Sequence, residues 1–420
     1  MRTFAAICLI SCMLSACEKN KEDAPPIPPN PTVTSVSPTS AGYNALITIK
    51  GSNFSNTLAD NQITINGIAA IVKSATDSVI TVLVPERAGS GPIEVTTPKG
   101  KVSGGAFTYT PTVYVAGSEI NGNHYEAKYW KDGIEIVLRD SAVANVIVAN
   151  GNDLYIGGNA LDASTGKAQA TIWKNGVANY LTTNNLTEGS VLSVFISGND
   201  VYAAGTAIDD IALSNVGLYW KNGVPIVLSG TSGSCVGYSI SVVGTDVYVA
   251  GISWGNANGS NFWKNNLSLP LAPTNTITNA LGLFTSVNDV FVAGYFIDTS
   301  TKNSVATYWK NGIVHSLTDG THSSAANAIT VSGDDVYVAG YEMSGTNYIA
   351  KYWKNGTPVS LTDASKNAQA NSIQVLGNDI FVSGNEHIGN NDAARYWKNG
   401  IQVNLSDGTN QAQAHSIYVQ

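Results

Sequence analysis

From Thr32 to Thr110 apolar residues recur with a period of two. Val33, Val36, Leu46, Ile47, Ile49, Ile63, Ile65, Val79, Ile80, Val82, Val84, Ile93, Val95 and Phe107 fall between Gly, Pro and Asn punctuation. Alternation sends successive side chains to opposite faces, so this stretch predicts an all-β sandwich of short strands. Beyond Thr112 the pattern changes in kind, because the chain repeats itself. Val-Tyr-Val-Ala-Gly or a near relative begins at Val113, Leu154, Val201, Val247, Val290, Val336 and Ile380. A tryptophan follows each copy: Trp130, Trp173, Trp220, Trp263, Trp309, Trp353 and Trp397. Successive tryptophans are 43, 47, 43, 46, 44 and 44 residues apart, the period of a four-stranded propeller blade.

One unit shows the four strands, predicted over 328–332, 336–340, 350–354 and 358–362. Gly333-Asp334-Asp335 separates the first two, echoed at Gly151, Gly198 and Gly377. Asn355-Gly356 separates the last two, echoed at Asn175, Asn222, Asn311 and Asn399. Asn-Gly suits a type I′ hairpin, which needs positive φ at both central residues. The regular aspartates fit turn chemistry better than calcium ligation. Repeated Tyr-Trp pairs such as Tyr352-Trp353 resemble a sugar platform, yet seven copies at one register fit packing between blades. The chain enters the repeat on a second strand at Thr112 and ends on a first strand, Ser416 to Gln420. The two ends are therefore expected to share one blade and close a seven-bladed ring.

Composition agrees. Charged residues make up only 12% of the chain, with 41 Gly and 19 Tyr, which suits strands and tight turns. The net charge of −8 comes with no basic block, so no nucleic-acid groove is expected.

Several phrases in the first domain resemble an IPT/TIG domain, an immunoglobulin-like module. They are Val36-Ser37-Pro38, Ile49-Lys50-Gly51-Ser52-Asn53-Phe54, Ile65-Asn66-Gly67, Val82-Leu83-Val84-Pro85 and Val95-Thr96-Thr97-Pro98-Lys99-Gly100. The resemblance implies a spacer or binding module, and Gly51 to Phe54 reads as a turn closed by an aromatic plug. The repeat is similar to kelch-like propellers in layout but lacks their signatures.

At the N-terminus, Arg2 and the short apolar stretch Phe4 to Leu14 read as a leader. Leu14-Ser15-Ala16-Cys17 resembles the lipobox of bacterial lipoproteins, which implies lipidation of Cys17. Glu18 to Asp23 is similar to the signal that exports some Gram-negative lipoproteins to the surface. Five prolines between Pro25 and Pro31 stiffen the spacer that follows. The expected divisions are a leader over 1–16, a tether over 17–31, a sandwich over 32–110 and a propeller over 112–420. The expected location is the outer membrane, facing outward, as a monomer. Cys235 is then the one free thiol, and no disulfide is expected.

Both tight turns of a blade lie at one end of its strands. The other end carries connections that differ between blades, so function is expected there. Candidate ligand-binding residues on that face are Trp254, Tyr295, Tyr341, Tyr125, Glu342 and His387. Aromatics beside carboxylates suit carbohydrate rings; the alternative is that they cap blade ends. Of the eight tryptophans Trp254 alone stands outside the repeat register. No cofactor, metal or catalytic residue is expected: the five histidines show no His-x-x-x-His spacing, and no Gly-x-Ser-x-Gly elbow occurs. The favoured reading is a non-catalytic surface binder of glycan or protein. A structural or adhesive protein is the alternative, and a propeller hydrolase or lyase the third.

Overall fold

The structure, a computed structural model, describes residues 29–183, 185–229, 233–254, 260–271 and 278–420. The expected leader, Cys17 and most of the tether lie outside the described residues. Two all-β bodies follow.

In the first, Thr32–Ser37, Leu46–Ser52, Val79–Leu83 and Ile68–Ala75 lie side by side and continue through Gln62–Ile65 into Gly91–Thr97 and Gly100–Tyr109. The period-two residues do what the alternation requires. Ile47, Ile49, Ile63, Ile65, Ile80, Val82, Ile93 and Val95 all point inward and are buried. Phe54 plugs the core, packed so closely on Gly51 that a Cβ there would meet both its ring and the Thr32 carbonyl. This is an immunoglobulin-like sandwich.

The second body is a ring of seven four-stranded blades. Blade 6 shows the plan, with Ser324–Ser332 innermost, then Asp335–Ser344, Asn347–Lys354 and outermost Thr357–Ser360. The inner two strands run about four residues further than the alternation suggested. An extra residue interrupts the pairing of the innermost strand, and the ladder resumes beyond it. Every repeat tryptophan is core, from fully buried Trp130 to Trp309 at 2% exposed. The Tyr-Trp pairs are thus packing between blades, not a sugar platform.

Blades 2 to 7 carry the same clasp at the turn end. In blade 6 Asn355 and Gly356 both have positive φ, as a type I′ turn demands. Asn355 Oδ1 accepts from the Val336 N–H at 2.8 Å, and its Nδ2 donates to Asp335 at 2.7 Å. Lys354 pairs with the same carboxylate and lies over the Tyr337 ring. Blades 2, 3, 4, 5 and 7 repeat the Asp–Asn contact at Asp153, Asp200, Asp246, Asp289 and Asp379. In blade 1 Asp132 replaces the asparagine and accepts from Val113. The recurring aspartates are turn elements with lysine and asparagine partners.

Blade 1 closes the ring. Its innermost strand is the C-terminal Ala412–Val419, which pairs with Val113–Asn121, and Gln420 exchanges backbone bonds with Thr112. Only Thr110 to Thr112 join the two bodies, and the sandwich packs directly on the turn end of the propeller. Tyr109, Val113, Leu376, Phe381 and Val419 belong to one apolar cluster with the sandwich core.

Candidate functional site

The geometry of the channel starts from the repeat glycine. Gly340 pairs with Ala326, and a Cβ on it would sit 1.9 Å from the Ala325 carbonyl. The same close approach occurs at Gly117, Gly158, Gly205, Gly251, Gly294 and Gly384. Only glycine admits it. Opposite each glycine the innermost strand gains one unpaired residue, a β-bulge. The seven bulge residues are Asn145, Leu192, Tyr238, Leu281, Asn327, Asn371 and His415. All seven line the central channel, a cavity of about 650 Å³.

Three of them also join neighbouring blades. The side-chain amides of Asn145, Asn327 and Asn371 donate to the Val191, Ala370 and Ala414 carbonyls of the next blade, at 2.9 to 3.0 Å. His415 contacts Ser118 Oγ through Nε2 at 3.3 Å. Burial pushes its imidazole down to about 4, so the ring is neutral at physiological pH.

At the turn end the sandwich supplies part of the channel wall. Arg87, in the left-handed backbone region at φ 53°, reaches Gln374 Oε1 at 2.8 Å and the Val375 carbonyl at 2.9 Å. The Tyr418 hydroxyl donates to Glu86 at 2.9 Å. Alongside, Asn44 donates to Asn152 at 3.3 Å. The sandwich thus sits at the turn end of the propeller, not at the variable end.

At the variable end Tyr295 and Tyr341 lie near Tyr348, another tyrosine that the repeat places on this face, and near Tyr238, which the sequence did not single out. Tyr341 meets Tyr348 edge-on with ring centroids 4.7 Å apart. Burial raises Tyr341, and the Tyr348 and Tyr295 hydroxyls raise it further. Burial and then the Tyr295 hydroxyl likewise raise the bulge residue Tyr238. Tyr341 and Tyr348 are in ring contact, Tyr295 lies within electrostatic reach of Tyr341 and Tyr238, and Tyr238 lines the channel, so the four span blades 4 to 6. Tyr238 was legible in principle as the aromatic in a frame where other blades place Asn, Leu or His.

The remaining candidates fall elsewhere on this face. Trp254 directly follows the second strand of blade 4, Asp246–Ser253, with its N–H on the Ser234 carbonyl and 46% of its surface exposed. Tyr125 is exposed and, with His124, lines a separate cleft of about 240 Å³ between blades 1 and 2. Glu342 is bound by Lys351, and His387 Nδ1 lies 3.0 Å from Asp392. Both therefore have intramolecular partners.

Glu342 and Lys351 also belong to a pattern absent from the sequence reading. Blades 6, 7 and 1 each place a cation two residues before the tryptophan, opposite a glutamate: Lys351 with Glu342, Arg395 with Glu386 and Lys128 with Glu119. Lys128 is buried, with Glu126 and Glu135 also within 3.0 Å. Burial alone would lower its pKa, but the hydrogen bonds it donates to Glu119, Glu135 and Glu126 outweigh that and raise it. The ionic pairs thus occupy blades 6, 7 and 1, and the tyrosines the adjoining blades 4 to 6, the two sectors meeting in blade 6.

Residues 31–110 match the IPT/TIG domain family. No curated protein sequence matches the chain. Among solved structures the chain is similar to a protein of unknown function from Bacteroides thetaiotaomicron, at 11% identity and a TM-score of 0.35, covering 78% of this chain and 98% of that one. It is also similar to an auxiliary nutrient binding protein from Bacteroides ovatus, at 13% identity and a TM-score of 0.27, covering 89% and 85%. A Pyrococcus horikoshii acylaminoacyl peptidase matches at 12% identity and a TM-score of 0.46, covering 71% of this chain and 50% of that one. Likenesses this distant carry nothing about chemistry.

Proposed function

We propose that the protein is a non-catalytic, lipid-anchored surface binder that takes glycan or protein ligands on the variable face of its propeller. One observation carries the reading: the sandwich is fixed to the turn end, and the chain enters it from the opposite side. Thr32 pairs with Ser52, and the Asn30 carbonyl accepts from Asn53, at the end of the sandwich away from Arg87. An anchor at Cys17 would then lie on one side of the sandwich and the variable face on the other. Such a stack turns the tyrosine cluster away from the membrane, where a ligand can reach it.

Two measurements test it. Labelling with a fatty-acid analogue is expected to mark the wild type and spare Cys17→Ser, and protease added to intact cells is expected to remove the propeller. Equal labelling of both proteins, or a propeller protected in intact cells, would refute the anchored display. Once a ligand is in hand, Tyr295→Ala and Tyr341→Ala are expected to weaken its binding about five-fold or more, as for half-buried aromatics that a ligand stacks on. Unchanged affinity in both would move the site off the tyrosine cluster.

A further inference from the structure

We propose that the channel itself is the ligand well, and that it accepts a neutral, hydroxyl-rich ring such as a saccharide unit. This rests on the reading that the variable face binds a ligand, and narrows it to one cavity and one chemical class.

The seven bulge residues are not mixed at random around the ring. Leu192, Tyr238 and Leu281 come from three consecutive blades and make one wall apolar. Asn327, Asn371, His415 and Asn145 come from the other four and make the facing wall polar. Asn145 commits both amide hydrogens, to Ser190 and Val191, and Asn371 both of its own, to Asn385 and Ala414, while Asn327 commits one to Ala370. What these three side chains offer a ligand is therefore mainly amide oxygen, an acceptor, with one N–H of Asn327 beside it. A matching ligand carries hydrogen-bond donors on one edge and apolar C–H on the other.

Charge narrows the class further. Among the channel-lining residues the carboxylate and guanidinium groups are those of Glu86 and Arg87, at the turn end. Both are engaged: Arg87 by Gln374, Val375 and Val419, and Glu86 by Tyr418. An ionic ligand would lose its water along a channel whose described lining carries charge only in that turn-end pair of opposite sign, each already hydrogen-bonded. A wholly apolar one would strip water from the asparagine oxygens without replacing it. A sugar ring meets both walls, with hydroxyls toward the asparagines and a C–H face toward Tyr238. The cavity's volume lies within the range of small-molecule sites, roughly 300–1,000 Å³. The mouth, with Tyr295, Tyr341 and Tyr348 beside Tyr238, would hold the adjoining units of a longer chain.

The test uses the full chain and five probes in titration calorimetry. Maltohexaose, cellohexaose, xylohexaose and mannohexaose are neutral, and hexagalacturonate is acidic. Leu281→Trp and Leu192→Trp fill the channel without touching the blade-joining asparagines, and Tyr238→Ser removes the stacking ring without filling it. At least one neutral oligosaccharide is expected to bind, and its affinity is expected to fall at least ten-fold in each variant that melts like the wild type. If binding survives all three variants, the ligand sits on the loops; the channel proposal fails and the variable-face reading stands. Binding of hexagalacturonate alone overturns the neutral class. Binding of none of the five overturns the saccharide class, while a protein ligand on the same face would still uphold the broader reading.

Discussion

Asp335 and Asn355 lie 20 residues apart in sequence and 2.7 Å apart in space, across the two tight turns of one blade. Asn355 also receives the Val336 N–H, so one side chain fixes both hairpins of the blade. Asn355→Ala removes two hydrogen bonds and puts alanine at φ 50°. Since the clasp is solvent-exposed, the expected loss is about 1–2 kcal/mol in chemical denaturation. A loss no larger than for an unrelated surface substitution would show that the clasp is ornamental. The paired aspartates also predict acid sensitivity. Lys354 and then Asn355 hold Asp335 below the usual carboxylate range. A depressed folded pKa gives stability that is present above the unfolded value near 4 and lost as pH falls through the folded one.

The repeat glycine gives a sharper expectation. Gly340→Ala forces a Cβ against the Ala325 carbonyl, in a strand pair with no slack. It is expected to cost about 3 kcal/mol or more, or to prevent folding. Gly345→Asn, at φ 61° with nothing within 4 Å of a new Cβ, is expected to be nearly neutral. Equal melting of the two variants would detach the glycine from the bulge.

His415 gives a pH prediction of its own. Its folded pKa is pushed down to about 4, against roughly 6.5 unfolded. Between those values the unfolded chain binds a proton that the folded one does not. Stability is therefore unaffected above pH 6.5 and falls as pH drops from about 6.5 to 4. The ring lines a channel that admits water, so the expected loss is about 1–2 kcal/mol, less than the full shift implies. His415→Asn should flatten this part of the profile; an unchanged slope would place the titration elsewhere.

Much of this was legible because the repeat compares the chain with itself. The tryptophan spacing predicted blade number, and the phase of Val113 against Ile417 predicted closure by the C-terminal strand. What the sequence did not reveal depends on where the backbone departs from regularity. The alternation breaks at Asn327, so the innermost strand was read as starting at Ala328, and the bulge that aims seven side chains into the channel was missed. Arg87 escaped notice for a different reason: its partners Val375 and Val419 are nearly 300 residues away or more, and two are backbone carbonyls that no residue pattern encodes.

Trp254 and Trp309 should separate function from packing. Trp309 is almost fully buried between blades, and Trp309→Ala is expected to cost about 3–5 kcal/mol. Trp254 is nearly half exposed, so Trp254→Ala is expected to shift stability by less than about 0.5 kcal/mol. Thermal melts of both variants check this. A large loss at Trp254 would make it a packing residue and withdraw it as a ligand contact.

The closing strand ties the ring to the sandwich, which makes its deletion informative in two ways. Removing Ser416 to Gln420 strips the pairing partner from Val113 to Ala116 and leaves an open strand edge. It also removes the Val419 carbonyl from Arg87 and the Tyr418 hydroxyl from Glu86. Loss of cooperative melting is the expected result, together with protease sensitivity near Thr110-Pro111. Arg87→Ala isolates the second effect, because it breaks the domain contact while leaving the strand ladder intact. It is expected to keep the melting of the propeller and yet increase cleavage between the domains several-fold in limited proteolysis. If Arg87→Ala instead resists protease like the wild type, the apolar cluster around Tyr109, Leu376 and Val419 is what fixes the sandwich to the propeller, and the guanidinium contributes only to the channel wall.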